Sequence, residues 1–180
     1  YKHKERYNSW KEKIKDGIPD IGKENSDLII QYLFDMERGL NIASGSVKGS
    51  RSYIRLNTLR AKLIFFSKKF KLRYNLDKLT DINEEQLVTF FSDMKNGIIK
   101  REDGGQYKSV ETYGNAFKAF WHWYQKINKK KNMEIKEITT DLDTKQEKPK
   151  WVYMTESEVK KLCDNAKYEF EDAETFLKAV

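Results

Sequence analysis

The chain has 180 residues, of which 38% are hydrophobic, 35% charged and 13% aromatic, with only two prolines. That composition supplies the core of one domain, or of one domain and part of a second, and favours an all-α fold. A single cysteine, Cys163, excludes an intrachain disulfide and a thiolate metal cluster, and the longest apolar runs, such as LIIQYLF, are too short to span a bilayer.

The formal net charge of +7 suits a polyanionic partner without distinguishing DNA from RNA or an acidic membrane surface. The charge is uneven. Residues 151–180 hold four lysines against seven acids, a net of −3, which leaves +10 on residues 1–150. A basic module followed by a different one is expected. The single cysteine fits an intracellular protein, and a cytoplasmic location is expected. No secretory leader is visible, and the opening on Tyr1 rather than methionine is what a trimmed chain would show.

Residues 1–18 are basic, with Tyr7, Trp10 and Ile14 at helical spacing, and Gly17, Pro19 and Gly22 end the pattern. Residues 1–23 thus read as a basic N-terminal helix or arm, either docked on the domain or laid along a phosphate backbone. Ser26 is predicted to cap the next helix, with Asp27 near its positive end. Ile29, Leu33, Met36 and Leu40 face inward, Leu28 and Tyr32 flank them, and Gly39 or Asn41 is the stop. The Gly/Ser-rich loop NIASGSVKGSR follows.

A long helix is predicted over 52–70, with Leu56, Leu59, Leu63, Phe66 and Phe70 facing the core. Its far side offers Asn57, Thr58, Ala61 and Lys68, and Arg51, Arg55 and Lys62 lie at the margin. Small and hydrogen-bonding residues edged by cations suit a groove-facing surface, although a merely solvated face reads similarly. Ile54 and Phe65 point away from the stripe, which predicts a neighbour on two sides. Asn83 and Gln86 form a capping box, with Ile82 and Leu87 placed as its hydrophobic staple. Leu87, Phe90, Phe91 and Met94 face inward and Gly97 is the left-handed stop.

An exposed loop carrying Lys100, Arg101 and Lys108 leads to a helix over 109–128, capped by Ser109 and stapled by Tyr107 and Tyr113. Val110, Tyr113, Phe117, Phe120, Trp121, Tyr124 and Ile127 form its inner stripe. Lys108, Thr112, Asn115, Lys118, Ala119, His122 and Lys126 fall on or near the outer side. The domain so defined covers 24–131. Residues 132–150 lack a firm period and read as a linker closed by Pro149. Thr155 and Glu158 form a second capping box, stapled by Met154 and Val159, for a helix that continues through Leu162. A further helix, EFEDAETFLKAV, is still in progress at Val180, so 151–180 reads as the start of a truncated second domain.

Catalytic signatures are absent. His3 and His122 are the only histidines, and there is no HExxH, CxxC, GxxxxGK[ST] or GxGxxG, so no metal and no cofactor is expected. Asp16, Asp20, Asp141 and Asp143 sit in or beside loops with no partner that marks acid–base work. Catalysis by these residues alone is not expected.

The order of signals over 24–180 resembles a known family. A helix ending in Gly and a loop precede the pattern Leu59-x3-Leu63-x2-Phe66; LTDINEEQLVTFFSDM, SVETYGNAFKAFWHWY, a linker with Pro149 and MTESEVKKL follow. This is similar to the N-terminal half of a tyrosine recombinase, the phage integrase family that includes Xer and Cre. MTESEV is similar to the segment that opens that family's catalytic domain. The resemblance implies a SAM-like bundle of four or five helices, a core-binding domain that forms half of a C-shaped clamp on a DNA half-site. It implies that helices 52–70 and 109–128 cross the major groove. Arg55, Asn57, Thr58, Lys108 and Thr112 would contact the duplex, with Arg51, Lys62, Asn115 and Lys118 in support. The family often carries Ser or Thr where Arg55 stands, which points Arg55 at a phosphate rather than a base. The family's catalytic Arg, Lys, His-x-x-Arg and nucleophilic Tyr have no counterpart here. The implied activity is therefore double-stranded DNA binding without cleavage, with strand transfer and self-assembly on DNA belonging to a longer parent. No membrane or small-molecule partner is implied. Two other readings remain open: a non-catalytic nucleic-acid-binding helical module, and a helical protein-interaction domain whose basic face is only solubilising.

Overall fold

Apolar residues spaced by three and four give the helices their inner stripes, and the computed structural model shows how those stripes meet. It describes residues 2–14, 16–43, 45–145 and 154–166. Among these there is no strand. The elements are α1 (His3–Lys13), α2 (Lys23–Arg38), α3 (Tyr53–Tyr74), a 3-10 turn (Leu79–Asp81), α4 (Glu84–Lys95), α5 (Val110–Lys129) and α6 (Glu156–Ala166). The fold is an all-α bundle, as expected. The chain divides into two compact units, Tyr1–Gln146 and Glu147–Val180.

In the first unit α3 is the central element, touching α1, α2, α5 and the 3-10 turn. Its predicted stripe of Leu56, Leu59, Leu63, Phe66 and Phe70 is fully buried. Phe66 meets Phe117 edge-to-face at 5.2 Å and Phe91 at 5.8 Å, the arrangement that ring quadrupoles favour. Ser52 caps α3, which runs to Tyr74, four residues beyond the predicted end, and Asn75 closes it in the left-handed region at φ 53°. Phe65 finds a second neighbour in Tyr113 (5.2 Å) and Tyr107 (5.5 Å), whereas Ile54 remains exposed.

α1 is docked, not a free arm. Tyr7 is buried with its ring 5.8 Å from that of Tyr53, and Lys11 pairs with Glu37 at 3.0 Å. α2 starts one turn before the predicted cap. Ser26 is instead buried, and its hydroxyl accepts from the Ile18 backbone N–H at 2.8 Å. Asn25 beside it accepts from the Leu79 N–H and donates to the Asp77 carbonyl. These two polar residues tie the α1–α2 connection and the 3-10 turn to the head of α2. Gly39 stops α2 at φ 72°, and a Cβ there would lie 2.6 Å from the Gly49 carbonyl carbon, so only glycine lets the loop return so closely. Leu40 lies past this stop and is half-exposed, not inward.

The capping box on α4 is present in both directions, and Leu87, Phe90, Phe91 and Met94 are buried. Ser109 does not cap α5 with its side chain. It adopts φ 56°, and its carbonyl accepts from the Thr112 N–H and hydroxyl. The Tyr107 and Tyr113 rings, 5.7 Å apart, form the staple. Trp123 is also fully buried, although it lies off the predicted stripe; its indole N–H donates to Asp35 Oδ2 at 2.8 Å.

The segment after α5 is not a linker from residue 132 onward. Ile138, Thr139 and Leu142 are buried. The Trp121 indole donates to the Lys136 carbonyl at 3.0 Å and Lys95 pairs with Asp143. Buried Trp121 needs an acceptor for its N–H, and this returning segment supplies it. The first unit therefore closes at 146 rather than at 131.

In the second unit α6 carries the expected capping box. The Thr155 N–H donates to Glu158 Oε2 at 2.7 Å, and the Glu158 N–H returns to the Thr155 hydroxyl. Pro149 and the segment EFEDAETFLKAV lie outside the described residues. No described helix is long and apolar enough to cross a membrane.

Candidate nucleic-acid interface

Steps of three and four along α3 place Arg55, Thr58 and Lys62 in one stripe at the margin of the core face, and Arg51, just before the cap Ser52, lines a cleft with Arg55. Asn57 is not in it. It lies on the opposite margin, only 9% exposed, where Nδ2 donates to the His3 carbonyl at 3.0 Å and the Tyr53 carbonyl at 2.8 Å. α1 covers this flank, which period alone leaves facing solvent. Asn57→Ala is expected to cost about 1 kcal/mol of stability in a denaturant titration, with duplex affinity unchanged.

Lys62 joins the two helices of the face. Its Nζ donates to the Thr112 carbonyl and hydroxyl, each at 2.7 Å, and lies 4.6 Å from the centre of the Tyr113 ring. Burial, with Arg55 nearby, pushes this ammonium down to about 8, while Glu111 opposes the shift. Between pH of about 8 and the ordinary value of 10.5 the unfolded chain therefore binds more protons at this site than the native chain. The group's contribution thus favours the native state increasingly as pH rises through that window. Denaturation midpoints of wild type, set against those of Lys62→Met, should show this rise; parallel curves would mean that Lys62 stays charged.

The outer side of α5 floors an open groove of about 1250 Å³ that includes Asn115, Lys118, His122 and Lys129. Ala43, Gly45 and Ser46 form one wall, and Met133, Glu134, Ile135 and Glu137 belong to another. His122 Nε2 lies 3.3 Å from Glu137 Oε2. Burial raises the Glu137 carboxyl, but hydrogen bonds from Thr139 outweigh it and hold the group below its usual value. On the far side of the loop a cleft of about 460 Å³ is lined by Arg51 and Arg55, and it shares Ala119, Ala43, Gly45 and Ser46 with the groove. Arg51, Arg55 of α3 and the lysines of α5 thus belong to one continuous surface.

None of its cations meets a carboxylate among the described residues, whereas several elsewhere do. On other faces Lys11 pairs with Glu37, Lys68 with Asp20, Lys71 with Asp77, Arg73 with Asp93 and Lys78 with Glu24. Here Arg51 donates to the Val47 carbonyl at 2.8 Å, and Lys126 to the Ile42 carbonyl at 2.6 Å. The side chains of Arg55, Lys118 and Lys129 have no hydrogen bond or ion pair among the described residues, nor has that of Lys108, exposed at the head of α5. The Thr58 hydroxyl turns back to the Ile54 carbonyl. Asn115 reaches the Thr144 carbonyl at 3.4 Å.

Of the nine residues singled out from the sequence, Arg51, Arg55, Lys62, Thr112, Asn115 and Lys118 come together. Thr58 sits beside them, Lys108 stands at one end, and Asn57 is elsewhere. Lys129, His122 and Lys126 belong to the groove floor although only the last two were placed on the outer side. The steps 115, 118, 122, 126 and 129 were the signal for the whole row. No group of three or more His, Cys, Asp or Glu side chains able to hold a metal is found among the described residues. Comparison with protein-family models, with curated proteins and with solved structures gave no match.

Proposed function

We propose that the first unit binds double-stranded DNA through the surface formed by the head of α3 and the outer side of α5. The observation that carries this is the clustering on one continuous surface of Arg51, Arg55, Lys118, Lys126 and Lys129, which meet carbonyls or solvent; elsewhere Lys68, Lys71 and Arg73 are held by carboxylates, while Lys4, Lys13 and Lys23 also lack such a partner among the described residues. Unneutralised arginines and lysines along a track release counterions when phosphates replace them, which is the main source of sequence-independent affinity. Arg55 and Lys118 serve as phosphate contacts in this view, and Asn115 is the polar side chain best placed to reach a base edge. The helix order and the two capping boxes support the further reading of the chain as the core-binding part of a cytoplasmic tyrosine recombinase that acts, when complete, by strand transfer. In that role the described unit grips DNA and leaves the chemistry to residues of the parent protein.

A titration of labelled duplex with the chain tests this directly. Saturable binding that polyglutamate does not displace at equal charge is expected. Equal displacement by polyglutamate would reduce the surface to a generic polycation, and absence of binding at low salt would remove the proposal.

A further inference from the structure

The cleft beside the first turn of α3 contains a polar group that the rest of the fold leaves unused. Tyr32 is fully buried, its ring edge-on to Phe120 at 5.5 Å and to Trp123 at 5.1 Å. Its hydroxyl has no hydrogen-bond partner among the described residues, although buried hydroxyls usually have one. Tyr32 lines the cleft together with Arg51 and Arg55. Burial holds the phenol well above its usual value, with Arg55 and Arg51 opposing, so it remains a protonated donor.

We propose that this cleft binds a phosphoryl group, with Arg51 and Arg55 as its cations and the Tyr32 hydroxyl as its buried donor. Among the described residues no carboxylate lines it. Asp35, the acid nearest in sequence to Tyr32 on α2, is occupied by the Trp123 indole and the Asn41 amide, at 2.8 and 2.7 Å. Met36, Ile42 and Leu59 give the cleft apolar walls, where opposite charges attract more strongly than in water. The positive end of the 22-residue helix α3, capped by Ser52, adds to the same field. Arg51 at present donates to the Val47 carbonyl. A phosphoryl oxygen replaces that carbonyl as its partner, which releases the Val47 wall and lets a second oxygen reach Tyr32. The phosphate can be a phosphodiester of the duplex backbone or a free phosphate. Only the first source rests on the DNA-binding proposal.

Tyr32→Phe removes the donor and no charge. Because the deleted hydroxyl has no partner, the variant should melt at or above the wild-type temperature. In the full chain its duplex affinity should fall roughly tenfold, the effect of losing a hydrogen bond to a charged group, with the salt slope unchanged. Arg55→Gln should weaken binding and also lower the slope by about 0.9. In parallel, inorganic phosphate is titrated while the Arg51 and Arg55 side-chain N–H resonances are followed. A saturable shift that Tyr32→Phe weakens assigns the site to free phosphate as well; a shift produced by duplex alone assigns it to the backbone. Wild-type behaviour of Tyr32→Phe in both titrations overturns the site, and does so even if Lys118→Gln weakens duplex binding, in which case DNA binding survives without it. Phosphate saturation in a chain that ignores duplex upholds the site and removes DNA as its source. Silence in both titrations overturns both proposals.

Discussion

Replacing Phe117 with alanine is expected to destabilise the first unit by about 3–5 kcal/mol, the usual cost of emptying a buried aromatic site. The ring is fully buried where α3 and α5 meet. It lies edge-to-face with Phe66 at 5.2 Å and Phe70 at 5.8 Å, and stacks on Trp121 at 5.9 Å. Its neighbours are other large rings that cannot collapse into the space without leaving their own packing. Single domains are stable by only about 5–15 kcal/mol, so this loss is a large fraction of the total. Denaturant unfolding followed by near-ultraviolet circular dichroism measures it. An unchanged midpoint would mean that α5 presents the opposite side to the core.

The second large effect falls on binding and spares the fold. Changing Arg51, Arg55 and Lys118 together to glutamine is expected to lower duplex affinity by roughly two orders of magnitude at moderate salt, on the order of fivefold for each phosphate no longer neutralised. None of the three has a carboxylate partner among the described residues, so no acid is left unpaired when they are removed. Stability should stay within about 1 kcal/mol of wild type. Fluorescence anisotropy with a labelled duplex reads the first quantity and thermal melting the second. A triple variant that binds as tightly as wild type would move the interface elsewhere.

Much of this fold is local, and the local part is legible in the amino-acid sequence. The stripe from Leu56 to Phe70, the Asn83–Gln86 box and the stripe from Val110 to Ile127 each depend on residues within a few positions of one another. What escapes is set by partners far along the chain. Trp123 is buried because Asp35, 88 residues away, accepts its indole N–H. Asn57 looks like a surface residue until α1 covers it and the His3 carbonyl takes its amide. Residues 132–145 carry too few apolar side chains to announce a helix or strand, yet Ile138 and Leu142 reach the core and the Lys136 carbonyl satisfies Trp121. For the site, helical period finds the cations but not their partners. The difference between Lys68, paired with Asp20 across 48 residues, and Lys118, unpaired among the described residues, exists only in three dimensions.

That difference also supplies the most direct measurement. The slope of log affinity against log salt for one duplex is compared in wild type, in the Arg51/Arg55/Lys118 glutamine variant, and in a control with Lys68 and Lys71 changed to glutamine. A steep wild-type slope is expected, made shallower by about 2.7 in the first variant, at about 0.9 for each phosphate, and unaltered in the control, whose lysines are already paired with Asp20 and Asp77. Equal slopes in all three proteins, or a larger change in the control, would contradict DNA binding through the α3–α5 surface.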